Sequence, residues 1–515
     1  MSTITHPIHT PESDALVQRI ADASGGNVLP ASVAGTEAAT FALMRRGVEK
    51  LLVAVSQSTK LLDAFSHVSA QPLTENRSLL KLCPLTHDNA AALRRHLPWL
   101  CPVTFGMAKS FGAGDRLGLA TPGHIQAIRP SPFRAVLAQQ SIREMSRTDR
   151  SAVEVIDDAM WGAFQVGFRA GFGADADHLK IPEDIDTCVE AGYTMYTVDP
   201  GDHVDTAADT DSDSQLSEKY AALPWNVLQT SPRDCQRGYV DKPVELVVGA
   251  DTVTLAVTNV DLLRAAVKYG GAVAHVATLY AHLLDRLPVG TFDFEVSVDE
   301  TDSPTTPVEH FYIASELKRL GVTWTSLAPR FPGRFEKGVD FIGDLNEFRS
   351  ALAQHAAIAR QLGPYKISLH SGSDKFSIYP IIAELVGDLV HVKTAGTSYL
   401  EALRTLAATD AGLFREILDF SRERYPQDRA TYHVSADISA AADPARLADA
   451  ELPQTLDDFH TRQICHVTYG SVLSVNGSDG KPRFRDRLLG RLRKHEERYT
   501  HLLENHFRKH VAPFC

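Results

Sequence analysis

The sequence predicts an α/β protein built on a closed (β/α)8 barrel of the TIM type, with helical N- and C-terminal extensions and an insertion after the fourth strand. Short apolar runs with polar ends alternate with helical patterns between residues 101 and 408. Strand–helix alternation of this kind is typical of a parallel sheet covered by helices. About eight such units occur, which favours a closed barrel over an open sheet.

Each predicted element follows from a local pattern. The Ala- and Leu-rich residues 1–100 predict a helical N-terminal extension, for example over 37–55 and 89–97. Residues 101–200 and 291–408 form the two halves of the predicted barrel. The predicted strands are 103–108, 135–140, 175–180, 194–199, 292–300, 323–330, 366–370 and 389–394. The helical patterns between them include 153–170, 307–320, 345–362 and 399–406.

Residues 201–290 separate the fourth and fifth strands by too great a length for a simple crossover. The first part of this insertion, 201–217, is rich in Asp, Ser and Thr, which predicts an acidic, mobile surface loop. The rest is predicted to be helical, with a small hairpin near 245–256. Residues 409–515 predict a helical C-terminal extension. Its basic last helix, 485–510, indicates a solvated face or, alternatively, a contact with another subunit.

Composition narrows the class of protein. The net charge of −12 over 515 residues argues against nucleic acid or an anionic membrane surface as the main partner. We find no secretory signal and no apolar stretch of the roughly 20 residues that a membrane span needs, so we expect a cytoplasmic protein. The six scattered cysteines indicate reduced thiols. The oligomeric state stays open.

Charged and imidazole side chains stand at the ends of several predicted strands. In a parallel barrel, the C-terminal strand ends and their loops meet at one mouth. Asp177 and Glu300 come from different strands and are the natural proton carriers, because two carboxylates in unequal environments can act as base and acid. The alternative is that each caps a helix or pairs with a neighbouring cation, as Asp177 would with Lys180.

Imidazoles at the same strand ends predict a divalent metal site. Period-two alternation puts Val296, Val298 and Glu300 on one face of their strand. If that face lines the barrel, Glu300, His370, His391 and Lys393 point into one pocket. His178 is a further candidate ligand. Imidazole and carboxylate ligands suit Zn²⁺, Mn²⁺, Co²⁺ or Ni²⁺, and the sequence does not choose among them. For His391 the alternative is a hydrogen-bonded histidine of the barrel interior.

Polar and cationic groups near these strand ends are candidates for binding a small sugar-like molecule. The loop after His370 is dense in hydroxyl and charged groups. Arginine suits a carboxylate, which it can hold through two parallel hydrogen bonds. The predicted substrate-binding residues are Arg116, Gln140, Lys180, Arg330, Ser371, Asp374, Lys375 and Lys393.

The glycine-rich segment 112–118 departs from the dinucleotide-binding pattern. Its last glycine, Gly118, stands one position late, and Pro122 interrupts the expected helix. A phosphate-loop Gly-Lys-Ser/Thr is also missing from the sequence. We therefore expect no nucleotide cofactor.

Several longer segments carry a family resemblance, namely 112–124, 137–144, 173–180, 298–307, 326–331, 369–377 and 391–397. Through these segments the chain, from about residue 100 to 400, resembles the tagaturonate/fructuronate epimerase family, whose relatives include tagatose 4-epimerases. The resemblance implies a metal-dependent barrel enzyme of hexuronate breakdown. It implies Asp177 and Glu300 as the acid/base pair, and His178, His370 and His391 in the metal shell.

The implied substrates, D-tagaturonate and D-fructuronate, differ at a carbon one position beyond the carbon alpha to the ketone. The ketone does not acidify a C–H bond there, so simple proton removal and return cannot invert it. We expect a retro-aldol step, turning of the aldehyde, and re-formation of the bond. Elimination with rehydration and transient oxidation by nicotinamide are the alternative routes. Alternative functions are epimerisation of neutral ketohexoses, sugar aldol cleavage, and non-catalytic sugar binding.

Overall fold

The N-terminal part of the chain is a β-sheet with short helices, and not the predicted helical extension. The computed structural model describes residues 11–73, 78–249 and 251–515, so residues 1–10 and 74–77 of that prediction lie outside the described residues. Of the helices predicted at 37–55 and 89–97, the second is present as α3. The elements are α1 (Pro11–Ser24), β1 (Asn27–Val28), β2 (Ala34–Gly35), β3 (Ala39–Arg46), β4 (Glu49–Ser56), α2 (Thr59–Leu62), β5 (Ser69–Leu73), β6 (Ser78–Cys83) and α3 (His87–His96).

Strands β3 and β4 replace the helix predicted over 37–55, and they pair as an antiparallel hairpin. Phe41 and Leu43 pack into the core shared with the barrel, whereas Ala42 and Met44 pack into a second core that contains Ile20 of α1. Both faces of the sheet are therefore buried. A strand buried on both faces is apolar throughout, and its sequence cannot be told from a buried helix by periodicity.

The first half of the barrel and the insertion follow. The half barrel comprises β7 (Ser110–Ala113), α4 (Thr121–Ile128), β8 (Arg134–Ser141), α5 (Ile142–Thr148), α6 (Ala152–Gln165), β9 (Gly173–Leu179), α7 (Pro182–Ala191) and β10 (Met195–Val198). The insertion comprises α8 (Asp213–Ala221), α9 (Pro232–Tyr239), β11 (Val244–Val248), β12 (Asp251–Leu255) and α10 (Asn259–Arg286).

The second half of the barrel comprises β13 (Asp293–Val298), α11 (Pro307–Arg319), β14 (Ser326–Pro329), α12 (Leu345–Leu362), β15 (Lys366–Leu369), α13 (Tyr379–Val386), β16 (Val390–Thr394) and α14 (Thr397–Thr409). Its strands join those of the first half in a closed ring of eight, in the order β10-β13-β14-β15-β16-β7-β8-β9. Every neighbouring pair in the ring is parallel. The predicted (β/α)8 barrel is confirmed, and all C-terminal strand ends meet at one mouth.

The predicted first strand, 103–108, is wrong, because the first barrel strand is β7. The backbone N–H groups of Phe105 and Gly106 donate to the Asp293 carboxylate at 2.8 and 3.0 Å, so they are not available to a strand ladder. Gly106 also has a φ of +53°, outside the extended region. The segment 103–108 is therefore a loop that the start of β13 holds in place.

The acidic segment 201–217 is folded into short helical turns rather than an irregular surface loop. It forms the short 3-10 turns Gly201–His203 and Thr206–Asp209 and then enters α8. The buried Lys268 of α10 lies 3.0 Å from Asp209 and 3.1 Å from Glu309, so it ties the segment to α11. The hairpin predicted near 245–256 is present as the antiparallel pair β11 and β12, although residue 250 lies outside the described residues.

The C-terminal part is helical, with α15 (Ala411–Asp428), α16 (Phe459–Val467), α17 (Tyr469–Ser474), α18 (Arg485–Lys494) and α19 (Glu496–Val511). The single helix predicted over 485–510 is thus two helices that meet at His495. Leu503 and Phe507 of α19 are buried, and a side chain at Gly123 of α4 would lie 2.5 Å from Leu503. Helix α19 therefore packs tightly on the barrel near the first strand.

Among the residues described, none of the helices combines the length and the apolar character that crossing a membrane requires.

Candidate active site

A cleft opens at the C-terminal mouth of the barrel, between the strand ends and the C-terminal helices. It consists of an outer cavity of about 350 Å³ and an inner cavity of about 60 Å³. Glu300, Lys337 and His370 line both cavities, so the two are connected. Tyr432 from the C-terminal part also lines both, which shows that the extension forms one wall of the cleft.

Asp177, His178 and His370 lie together at the base of this cleft. One donor atom from each of the three residues lies within 4.8 Å of the others. The two imidazole rings meet edge to face, with centroids 5.2 Å apart. His178 and Ser371 both take left-handed φ values, 56° and 51°, which are uncommon for residues other than glycine and turn the chain at the ends of β9 and β15.

Carboxylates surround the two imidazoles. Asp199 lies 3.3 Å from His178 Nδ1, whereas Glu295 lies 2.7 Å from His370 Nε2 and Asp299 lies 3.2 Å from His370 Nδ1. Burial is the largest single effect and lowers the pKa of His370, but the carboxylates of Asp299 and Glu295 together outweigh it and the pKa rises to about 10. For His178, burial is again the largest single effect, but the carboxylates of Asp177, Asp199 and Glu300 together outweigh it and the pKa rises to about 9. The carboxylates around His178 and His370 thus favour a positive charge between them, whether on the imidazoles or on a bound cation.

The Lys393 ammonium lies beneath the imidazoles, inside the barrel. Its Nζ lies 2.7 Å from Asp175, 2.8 Å from Asp177 and 2.7 Å from Glu295, and it donates to Thr197 at 2.7 Å. Lys393 therefore compensates buried carboxylates. Lys393 also lines the inner cavity. Because its hydrogen bonds are made to protein groups, they do not support the predicted contact between Lys393 and the substrate.

The residues at the base of the cleft fit a divalent cation. Two imidazoles and a carboxylate supply the nitrogen and oxygen ligands that Zn²⁺ and similar ions prefer. His178, Asp199 and Glu300 form a second group of donors within 4.8 Å that shares His178 with the first. The second-layer carboxylates Asp199 and Glu295 resemble the partners that usually orient metal-binding histidines.

Glu300, the second predicted proton carrier, stands on the rim. Its side chain is 35% exposed and lies 3.1 Å from Nη2 of Arg143. The structure therefore brings Glu300 together with Asp177, His178 and His370 at one cleft, as the sequence predicted, although Glu300 is far more accessible than the other three.

His391 lies one layer deeper in the barrel than Lys393 and outside this group. Its Nδ1 lies 2.9 Å from the Ser110 hydroxyl and 3.1 Å from the Ser110 carbonyl oxygen. Burial lowers the pKa of His391 to about 3, so the ring is neutral. Among the described residues His391 belongs to none of the potential ligand groups, which matches the alternative of a barrel-interior histidine.

Of the eight predicted substrate-binding residues, four line the cleft and four lie elsewhere. Arg116, Arg330, Ser371 and Lys393 line the cleft. Lys180 instead pairs at the surface with Asp202, at 3.0 Å. The remaining three, Gln140, Asp374 and Lys375, are not among the described residues that line either cavity.

Each of these three has a specific reason to lie elsewhere. Gln140 faces outward from β8 and donates to the Asp115 carbonyl oxygen at 2.9 Å, so its neighbour Gln139 lines the inner cavity in its place. Asp374 turns toward the C-terminal helices and pairs with Arg462 at 2.8 Å. Lys375 is fully buried and donates to three carbonyl oxygens, those of Glu336, Val339 and Ser373.

The sequence prediction missed Glu295 and Asp299, because it took the wrong face of β13 as the inner one. Val296 and Val298 belong to the apolar core outside the barrel, whereas Glu295 contacts His370 and Ser326 inside it. The alternation of Glu295, Ser297 and Asp299 with valines was the signal that could have found them. Lys337, Tyr432 and His466 also line the cleft, and no local pattern in the sequence marks them.

Comparisons with known proteins agree with one another. The family model of tagaturonate epimerase matches residues 29–514. The tagaturonate/fructuronate epimerase of Thermotoga maritima is 43% identical over 429 residues, which cover 83% of this chain and 85% of that protein. A glycerol complex of the fructuronate-tagaturonate epimerase of Cohnella laeviribosi superposes with a TM-score of 0.89 at 37% identity, covering 98% of this chain and 99% of that one. The native structure of that enzyme gives a TM-score of 0.88, with the same identity and the same coverage.

The match extends beyond the barrel. It includes the N-terminal sheet and the C-terminal part, of which Tyr432 and His466 line the inner cavity. The fold resemblance at 37% identity therefore concerns the whole chain and not the barrel alone. The chain belongs to the tagaturonate epimerase family, and it is an isomerase.

Proposed function

We propose that this enzyme interconverts D-tagaturonate and D-fructuronate in hexuronate catabolism, with a divalent cation held by Asp177, His178 and His370. The observation that carries the proposal is the convergence of these three donors at the base of the cleft. The names of the two relatives support the substrates. The outer cavity contains Arg330, Arg334 and Lys337, which could bind the carboxylate of a uronate, beside the acids Asp299, Glu300, Asp302 and Glu336.

The cation would polarise the substrate ketone and stabilise the negative charge that develops on it. Asp177 suits the role of ligand better than that of base. Burial would raise the pKa of Asp177, but the Lys393 ammonium and the His178 and His370 imidazoles together outweigh burial and hold that pKa well below its ordinary value. A carboxylate held ionised in this way is a weak base, so we assign proton transfer to Glu300.

The retro-aldol route then needs one proton carrier. Glu300 removes the proton from the hydroxyl at the carbon to be inverted, and the bond between that carbon and its neighbour alpha to the ketone breaks. Its electron pair moves toward the ketone, which leaves an enediolate and an aldehyde. The aldehyde turns its other face, the carbon–carbon bond re-forms, and Glu300 returns the proton to the new alkoxide. No atom is gained or lost.

Proton exchange with solvent tests this route against elimination and rehydration. We expect epimerisation in heavy water without deuterium at the alpha carbon, because the retro-aldol route never breaks that C–H bond. Proton NMR measures the deuterium content at that carbon. Full incorporation would instead favour elimination and rehydration. Free three-carbon products in the same spectra would indicate an aldolase.

The substrate proposal is tested by assaying purified enzyme on tagaturonate beside fructose and tagatose, with chelator and with added Zn²⁺, Mn²⁺, Co²⁺ or Ni²⁺. We expect metal-dependent turnover that is fastest on the uronate. Faster turnover of the neutral ketoses would favour the alternative function, and binding without turnover would favour a sugar-binding protein.

A further inference from the structure

One end of the inner cavity carries buried polar atoms that have no partner within the described structure. They are Nη1 of Arg116, Oε1 of Gln139, and both ring nitrogens of His466. All three residues line the inner cavity together with His178 and His370. A buried polar atom without a hydrogen bond costs about 1 to 3 kcal/mol, so several of them in one cavity indicate that a bound molecule completes the hydrogen bonding.

Arg116 is fixed before any ligand arrives. Its Nε and Nη2 donate to Glu144 Oε1 at 3.0 and 2.7 Å, and its guanidinium lies 3.5 Å from the centre of the Tyr469 ring. The side chain is 3% exposed. Because Glu144 and Tyr469 hold the plane of the guanidinium, Nη1 remains as the donor for a ligand.

The imidazole of His466 lies close to the backbone at Gly396. A Cβ added at Gly396 would lie 1.8 Å from Cε1 of His466 and 2.2 Å from Nδ1. At Gly338 the same test gives 3.4 Å to Nδ1. Only glycine at position 396 leaves room for the imidazole, which therefore lies flat against the loop after β16.

The charges at this end favour an anion. Burial is the largest cause that lowers the pKa of His466 well below its ordinary value, followed by the Arg116 and Lys337 cations. The neutral ring keeps one N–H donor in a neighbourhood of positive charge. Glu144, the acid nearest to Arg116, is already occupied by that guanidinium.

The geometry points to a carboxylate-binding subsite, in which His466 and Arg116 Nη1 donate to the acid group of the substrate and Gln139 Oε1 accepts from one of its hydroxyls. This assignment rests on the proposed ketouronate substrate and makes His466, supplied by the C-terminal helix α16, a residue that determines specificity. A neutral ketose has a hydroxymethyl group in place of the carboxylate. Its hydrogen bonds with these donors would be weaker, because hydrogen bonds to a charged acceptor are the stronger ones.

The test uses direct binding, so that it does not depend on turnover. The probes are D-gluconate, an open-chain six-carbon acid, and D-sorbitol, its neutral counterpart, titrated by calorimetry into wild-type enzyme, His466→Leu and His466→Gln. We expect wild type to prefer gluconate. We expect His466→Leu to bind gluconate at least about tenfold more weakly while sorbitol changes by less than about twofold, because a hydrogen bond to a charged group is lost. His466→Gln should recover part of the loss.

His355→Leu is the matched control, because His355 is also fully buried and also has an unpartnered ring nitrogen in the described structure, but lies on α12 and lines neither cavity. Equal weakening of both probes, or unchanged gluconate binding in His466→Leu, would overturn the assignment. A wild-type enzyme that prefers gluconate yet does not convert tagaturonate would overturn the proposed substrate and leave the carboxylate subsite standing.

Discussion

Two clusters in this molecule have the same composition and different surroundings. The mouth cluster is Asp177, His178 and His370, and the tie cluster is Asp374 with His506 and His510. In each cluster an aspartate and two histidines offer donor atoms within 4.8 Å of one another. By residue type and spacing alone, both would qualify as metal sites.

The tie cluster already contains its cation. Arg462 lies 2.8 Å from Asp374, and the Asp374 backbone N–H donates to His510 Nε2 at 3.0 Å. Burial opposes ionisation of Asp374, but Arg462 and the hydrogen-bonded His506 together outweigh burial and hold the pKa of that carboxyl well below its ordinary value. The cluster joins the loop after β15 to α19 and does not contribute to the described lining of either cavity.

The mouth cluster, by contrast, faces the cleft and has an excess of carboxylates. Asp177, Asp199, Glu295 and Asp299 surround its two imidazoles, with Lys393 as the ammonium among them. Neutral imidazoles, as in a metal-binding site, would leave the group negative. The comparison teaches that the accompanying charges and the access to a cavity, more than the ligand types, decide which cluster can hold an ion.

The largest effect is expected from His370→Ala in the mouth cluster. We expect kcat on tagaturonate to fall at least about a hundredfold, and bound metal to be lost, because the variant removes a ligand. Kinetics and elemental analysis of the purified protein measure both. A variant that keeps its metal and its rate would show that the mouth cluster is not the site.

Glu300→Gln should separate chemistry from metal binding. We expect the rate to fall at least about a hundredfold while the metal content stays near that of wild type, because the amide cannot carry the proton. Asp302→Asn, which changes another acid of the outer cavity, is the control and should retain most of the rate. Equal rates for Glu300→Gln and wild type would remove Glu300 from the mechanism.

Asp199→Asn tests whether a carboxylate next to the mouth cluster orients His178. Asp199 orients His178 from 3.3 Å, and loss of such a partner typically costs about 10- to 100-fold in metal affinity. Competition with a chelator of known affinity measures the change. An affinity equal to that of wild type would mean that His178 does not depend on Asp199 for its orientation.

His506→Ala should lower the stability of the protein and leave its activity and metal content unchanged, in contrast to His370→Ala. Asp374 keeps its ion pair with Arg462 but loses a buried hydrogen-bond partner, which costs about 1 to 3 kcal/mol, so we expect a lower free energy of unfolding in urea. The rate per folded molecule and the metal content should change little. Loss of metal without loss of stability would mean that the two clusters had been assigned the wrong way round.

The sequence predicted the barrel, the position of the insertion and its hairpin, because these depend on local periodicity and on length. It placed His178, His370, Asp177 and Glu300 at one mouth, since parallel strands bring their ends together. The prediction for β13 is wrong about the inner face, because Val296 and Val298 pack outside the barrel and Glu295 lies inside it. The sequence prediction also took the N-terminal sheet for helices, because both faces of β3 and β4 are apolar.

The tie cluster and His466 lay beyond sequence reasoning for a different reason. Asp374 was predicted to bind substrate because it follows His370 closely. Its left-handed φ of 61° turns it instead toward Arg462, more than eighty residues along the chain. Likewise, the contact between Gly396 and His466 joins the loop after β16 to α16. The two residues are far apart in the sequence, and neither residue type predicts a contact with the other.

Metal content followed through removal and replacement tests the account most directly. The enzyme would be treated with chelator, dialysed, and reconstituted with each divalent metal while bound metal and turnover of tagaturonate are measured together. We expect activity to disappear with the metal and to return as about one ion per chain is bound, in wild type and in His506→Ala but not in His370→Ala. Full activity in protein shown to be free of metal would contradict the account.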